Sequence, residues 1–119
     1  MPVSLITEPA QPQKERGTVL VPFRAKVPMS NLQFLPAGGE KWNARVDVYV
    51  SVFDATGRNL ALKKYTTSAT AGSATPDPNG VFVYRNGVTL RSGQTHRIVV
   101  AVRDQATDAV GMAEQTVKF

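Results

Sequence analysis

Apolar residues recur at every second position along much of this chain. Val19, Val21, Phe23, Ala25 and Val27 alternate with Thr18, Leu20, Pro22, Arg24 and Lys26. Side chains of an extended chain point to opposite faces in turn, so this period predicts a half-buried strand. Pro22 has no N–H, which predicts an edge position or a bulge there. Pro28 ends the run. Asn31 to Leu35 reads as a second short strand, stopped by Pro36 and Gly38-Gly39. The strongest stripe follows. Ala44, Val46, Val48, Val50 and Val52 share one face, and Arg45, Asp47, Tyr49, Ser51 and Phe53 the other. β-Branched residues in strict alternation suit a pleated surface packed on a core. Asp54-Ala55-Thr56-Gly57 reads as a turn, with Gly57 free to take positive φ. Leu60, Leu62 and Lys64 then return as the hairpin partner.

Thr66 to Gly80 is polar and of low complexity, ending in Pro76-Asp77-Pro78-Asn79-Gly80. It predicts a long loop that crosses between layers and carries contacts. Val81-Phe82-Val83-Tyr84 and Val88-Leu90 form the next strand, with Arg85-Asn86-Gly87 as a kink or bulge. A strand through Ile98, Val100 and Val102, a turn near Thr107-Asp108 and a last strand from about Val110 to Phe119 complete the chain. Residues 1–16 read as a flexible lead or linker, because Pro9 to Arg16 offer no apolar face. Val3 to Ile6 could pair as a short edge strand, but nothing in the pattern forces it. No segment has helical period. Seven short strands with turn punctuation predict an all-β, immunoglobulin-like (fibronectin type III-like) antiparallel sandwich over residues 17–119. Its core is expected to bury the Val46–Val52 stripe against Ile98, Val100 and Val102.

The 119 residues have room for one domain and one core. With no Cys, disulfides, thiolate catalysis and Cys-ligated metal are excluded. No apolar run approaches the roughly 20 residues that span a bilayer, and Met1 to Ile6 lacks the basic start and apolar middle of a signal peptide. The net charge of +5 raises a nucleic-acid reading. Yet Arg24, Lys26, Arg45, Arg58, Arg85, Arg97 and Arg103 lie on separate segments, and Lys63-Lys64 is the only adjacent basic pair. They are expected to serve as solvated faces and edge gatekeepers.

Candidate chemistry is sparse. Ser92, His96 and Asp104 contain the residue types of a nucleophilic triad. However, Asp104 lies roughly 25 Å from His96 along one strand at ~3.3 Å per residue, and Ser92 lacks an elbow motif. Asp54, Asp77, Asp104 and Asp108 sit in turns, where carboxylates ordinarily cap their own backbone. If any ion site exists, Asp104 and Asp108 on one hairpin are its best ligands, but no calcium-loop spacing appears. Glu40 and Asp47 show no convergence of the kind glycoside hydrolysis needs. Gly38-Gly39 lacks the Lys and helix of a phosphate loop. No catalytic residue, metal or cofactor is therefore expected. Trp42 shares the inward parity of the valines, and its sharper reading is a stacking surface for a sugar ring. Tyr49 and Phe53 share the outward parity of Arg45, an aromatic-and-Arg face suited to a protein partner. Asp77, Asn79 and Asp108 add loop positions to this candidate surface.

The pattern Leu90, Gly93, His96, Ile98, Val100 resembles the corner of fibronectin type III domains. There a Tyr at the position of His96 ties the corner to the backbone, and an imidazole could form a comparable bond. That resemblance implies that a Tyr at position 96 would be accepted. Val21-Pro22-Phe23-Arg24-Ala25, Leu32 to Pro36, Val46 to Gly57 and Leu90 to Asp104 also resemble the C-terminal sandwich region of bacterial von Willebrand factor A-related proteins. The metal-ion adhesion motif of that family, Asp-x-Ser-x-Ser, is absent here, so no adhesion site carries over. The resemblance implies a non-enzymatic module of a larger exported protein, extracellular or periplasmic, that contacts protein or spaces other domains. The alternatives are a carbohydrate-binding module using Trp42 and a nucleic-acid-binding open barrel. No membrane span is expected.

Overall fold

The computed structural model describes residues 1–119 as two antiparallel sheets packed face to face. The strands are β1 (Ser4–Thr7), β2 (Gln11–Pro12), β3 (Thr18–Pro28), β4 (Leu35–Pro36), β5 (Trp42–Asp54), β6 (Asn59–Ala71), β7 (Val81–Arg91), β8 (Thr95–Asp104) and β9 (Val110–Lys118). In one sheet β3 lies between β7 and the short pieces β1 and β2. In the other, β5 lies between β6 and β8, β9 flanks β8, and β4 pairs β5 beyond the end of β8. This is an immunoglobulin-like sandwich.

Alternation dictates the core. Val21, Phe23, Ala25 and Val27 of β3 are buried, as are Ala44, Val46, Val48, Val50 and Val52 of β5 and Ile98, Val100 and Val102 of β8. The expected partnership of the valine stripe changes in one respect. Val48 pairs Val102, Val50 pairs Val100 and Val52 pairs Ile98 within one sheet. The two stripes are therefore side by side, and together they face β3 and β7 across the sandwich.

Four local expectations are corrected. The lead is not a free tail: β1 pairs β3 from Ser4↔Lys26 to Thr7↔Phe23, and Met1, Val3 and Leu5 pack against the core. Asn31 to Leu35 is not a strand, because a single 3-10 turn at Met29–Asn31 precedes a two-residue β4. Leu32 and Phe34 are buried there all the same, which is why the segment read as alternating. Seven of the nine strands are longer than two residues, β1 of the lead among them in place of the segment around Leu32 to Leu35. The long loop shrinks from its N-terminal side: β6 runs on to Ala71, with Tyr65, Thr67, Ala69 and Ala71 turned inward. Threonine and alanine there fill strand positions that composition assigns to a loop. Arg85-Asn86-Gly87 carries no bulge, since β7 stays in unbroken register with β3.

Pro22 is explained by the same ladder. Its carbonyl accepts from the Glu8 amide at 2.8 Å, so its missing N–H faces the gap between β1 and β2. The partner chain leaves the ladder where Pro22 has nothing to donate, and the strand can be central rather than an edge. Gly87 sits opposite Pro22, where a Cβ would lie 2.9 Å from Leu20 Cδ1.

Gly111 of β9 reports how the N-terminus docks. A Cβ there would lie 2.1 Å from the Met1 carbonyl oxygen and 2.8 Å from Val3 Cγ2. Gly111→Ala is expected to lift residues 1–3 and accelerate amide exchange in β1, leaving the β8 amides protected. Hydrogen exchange followed by NMR measures both.

Candidate interaction surface

The outward parity of β5 places Arg45, Asp47, Tyr49, Ser51 and Phe53 on the outer face of the sheet formed by β6, β5, β8 and β9. Register then chooses their neighbours. Tyr49 stands between Lys64 and Ala101, with Met112 one strand further on. Phe53 stands beside Arg97, whose guanidinium lies 4.6 Å from the ring centroid and also reaches Glu114 at 3.2 Å. Lys64 Nζ lies 5.7 Å from the Tyr49 ring centroid. Tyr49 and Phe53 are half-buried, and the cations that flank them are Lys64 and Arg97 rather than Arg45. Leu62, Val110 and Met112 are exposed on it.

Asp47 was legible only as an outward residue. It is on the outer face, yet it is 1% exposed. Arg103 Nη1 donates to Oδ2 at 2.9 Å, while Gln105 Nε2 and Thr66 Oγ1 each donate to Oδ1 at 2.9 Å. Thr66 and Arg103 are its direct cross-strand neighbours. The Gln105 hydrogen bond, then those of Thr66 and Arg103 and the Lys64 charge, outweigh burial and hold the carboxyl below its usual range. Arg103 also pairs with Asp108, and these carboxylates raise its own already high value.

Asp104 is the second polar anchor. It is fully buried, and its Oδ2 accepts from the Gln33 amide at 2.9 Å and from Thr107 Oγ1 at 3.0 Å. Its Oδ1 accepts from the Ala106 amide at 3.3 Å. One carboxylate thus caps its own turn and ties it to the segment after β3. Asp108 sits at φ 63°, and its carboxylate turns to Arg103. The two acids therefore do not converge on an ion. Asp54 caps its own turn through Thr56 and Arg58, bonds that lower its pKa with the Thr56 hydroxyl foremost. Asp77 accepts from the Asn79 amide at 2.8 Å.

The remaining candidates are scattered. Trp42 is half-buried, pairs with Pro36 and Ala71, and packs against the core. Asp77 and Asn79 are exposed in the loop between β6 and β7, at the same pole as Asp108. Leu90, Gly93 and His96 occupy the opposite pole. Leu90 and His96 are buried there, and Gly93 has φ 76°. His96 and Asp104 bound opposite ends of β8, so no triad forms. The largest groove, about 490 Å³, lies beside Arg45 and is lined by Gln33, Leu35, Pro36, Ser68 and Gln105 among others, with no carboxylate or imidazole.

Two sheets in place of an open barrel, with loops at both poles, define the chain as an immunoglobulin-like domain. It belongs to the bacterial Ig-like domain (group 3) family, whose model matches residues 37–102. A search of curated proteins finds no match. Among solved structures, the fold is similar to part of a Bacteroides uniformis β-glucuronidase, with TM-score 0.62 and 10% identity. The similarity covers 98% of this chain and 13% of that one. A Bacteroides fragilis protein assigned as a β-galactosidase gives 0.61 at 11% identity, over 98% of this chain and 16% of its own. A Bordetella pertussis protein assigned as ApaA gives 0.53 at 12% identity, covering 99% and 92% respectively.

Two predictions follow the geometry. The lowered Asp47 pKa means that its stabilising contribution is complete above the ordinary value of 3.8 and is lost as pH falls through the folded value. Asp47→Asn is expected to lower stability by roughly 1–3 kcal/mol at neutral pH and to flatten the loss seen below about pH 4, measured by urea unfolding across pH. His96 Nδ1 lies 3.1 Å from the Gln94 carbonyl oxygen, a bond made close to the backbone. A phenol carries its hydroxyl at the far end of the ring and forfeits that bond. His96→Tyr is therefore expected to destabilise by about 1–2 kcal/mol, reversing the expectation from corner spacing, with thermal melts as the readout.

Proposed function

We propose that this domain is a non-enzymatic module of a larger exported bacterial protein, where it contacts other protein domains or spaces them. The observation that carries the reading is the use made of the polar side chains. Asp47, Asp54, Asp104 and His96 all form hydrogen bonds that hold turns, strands or a corner; Asp54 and His96 also border one open groove with Thr95 and Thr116, but both are engaged in those backbone bonds. The match to small parts of long chains agrees with modular use. So does the resemblance to the sandwich region of von Willebrand factor A-related proteins, which supports export to the periplasm or cell exterior. The aromatic-and-cation face around Tyr49 and Phe53 is the surface offered to a neighbouring domain.

Carbohydrate binding has one specific point in its favour, since two similar structures are named as a glucuronidase and a galactosidase. Against it, Trp42 spends much of its ring on the core. Trp42 emission titrated with oligosaccharides separates the readings, and a response would favour the sugar.

The module reading is tested with the chain alone. It is expected to unfold in one cooperative transition and to leave chromogenic glucuronides, galactosides and esters unhydrolysed above buffer. Failure to fold alone, or turnover abolished by a point substitution, would overturn it.

A further inference from the structure

The sandwich is open along one flank. β7 pairs with β3 alone, and β6 with β5 alone, so each leaves a long unpaired edge. Pro22 addresses β1, so Phe23 must address β7, and with it Asn86 and the other even residues of β7 point their backbone groups at β3. Val81, Val83, Arg85, Gly87 and Thr89 therefore point their N–H and C=O groups outward from the sheet edge. Only the Gly87 amide has an internal partner, Asn86 Oδ1 at 2.8 Å. A row of free donors and acceptors of this length is a template for another strand.

Beside that edge the core itself comes to the surface. A cleft of about 180 Å³ runs between β6 and β7, with Val50, Val52, Ala61, Tyr65 and Val88 in its walls. It continues past Thr89 into a shallower hollow that includes Arg16 and Arg91. Lys63 also lines the cleft. Its pairing with Val50 gives it inward parity, yet it is exposed and has no ion-pair partner. On the outer side of the same edge stand Arg85 and Arg91, both exposed, and Arg85 is directly opposite Arg24. Two carboxylates stand among them, Glu8, paired with Arg24 at 3.2 Å, and Glu15, beside Arg16 in the hollow. The cations that lie apart in sequence are thus gathered by register along one flank.

We propose that β7 is a strand-addition site for an extended, acidic segment of a partner protein. The inference rests on the reading of this domain as a contact module and names the partner chemistry. The added strand bonds the odd-numbered groups of β7. Its alternate side chains are apolar where they enter the cleft over Val50, Val52 and Val88, and acidic where they meet Arg85 and Arg91 on the outer side. A second copy of this chain is the wrong occupant, because two such edges bring arginine against arginine.

The probe is a fluorescein-labelled peptide about ten residues long of alternating valine and glutamate, with an alternating valine and lysine peptide as control. Anisotropy is expected to show binding of the first only, weakening as salt rises. NMR exchange is expected to show new protection at the Val83, Arg85 and Thr89 amides, with Tyr84 and Asn86 unchanged. Thr89→Pro removes an outward donor and is expected to abolish binding. Arg85→Glu with Arg91→Glu is expected to weaken it about tenfold and to admit the lysine peptide. Equal binding of both peptides, protection elsewhere, or no binding at low salt overturns the proposal. Concentration-dependent dimers that protect the same amides overturn it in favour of self-pairing. A folded, inert domain that ignores the peptide leaves the module reading intact.

Discussion

The contact on which the molecule depends is the burial of the β5 valines between two neighbours in their own sheet and the opposing face of β3. β5 is laddered by β6 along nearly all its length and by β8 over Val46–Asp54. It can tolerate no shift of register by one residue, since that would carry Asp47, Tyr49 and Arg45 into the core and turn five apolar side chains to water. At roughly 1.5–3 kcal/mol for each fully buried valine, the stripe outweighs any single polar interaction in the fold. Strand order, loop positions and exposed faces all follow once β5 is fixed.

Polar side chains then refine what the stripe leaves loose. Apolar packing between sheets is not directional, and it does not position the loops at the poles. Asp104 does so at one pole by holding the Gln33 amide, a partner 71 positions away in sequence. His96 does so at the other, through the Gln94 carbonyl oxygen. Asp47 pins β6, β5 and β8 together from the outside, with three donors converging on one carboxylate. These groups resemble a candidate active site in residue type. Geometry gives them structural work, because their bonds go to backbone groups and cross-strand neighbours.

The strands with strict alternation were legible because burial on one face imposes period two: β3, β5 and β8 all stand where their valines predict. Composition misled where it was weaker. Thr66 to Ala71 is small and polar, and only pairing with β5 makes it a strand. Leu32 and Phe34 alternate, but the proline-bounded chain between them and β5 gives β4 only two residues. The lead carries little apolar area, and its place depends on the long-range fit of Met1 and Val3 over Gly111. Of the candidate surface, Tyr49, Phe53 and Arg45 were readable from parity. The burial of Asp47 was not, because it depends on Arg103 arriving from β8 and Gln105 from the turn that follows it. The flank along β7 was not readable either, because no local pattern says which edge lacks a neighbour.

The register sets Ser4 beside Lys26 near one pole, and Lys118 beside Thr95 at the other, in a body 49 Å long and about half as wide. Tension entering ahead of Ser4 and leaving beyond Lys118 would run parallel to the strands. The β1–β3 ladder would then be loaded in shear, its hydrogen bonds sharing the pull in place of parting one after another. Copies joined tail to head would extend as a rod of stiff links, each resisting stretch at the short strand that composition alone assigns to slack chain.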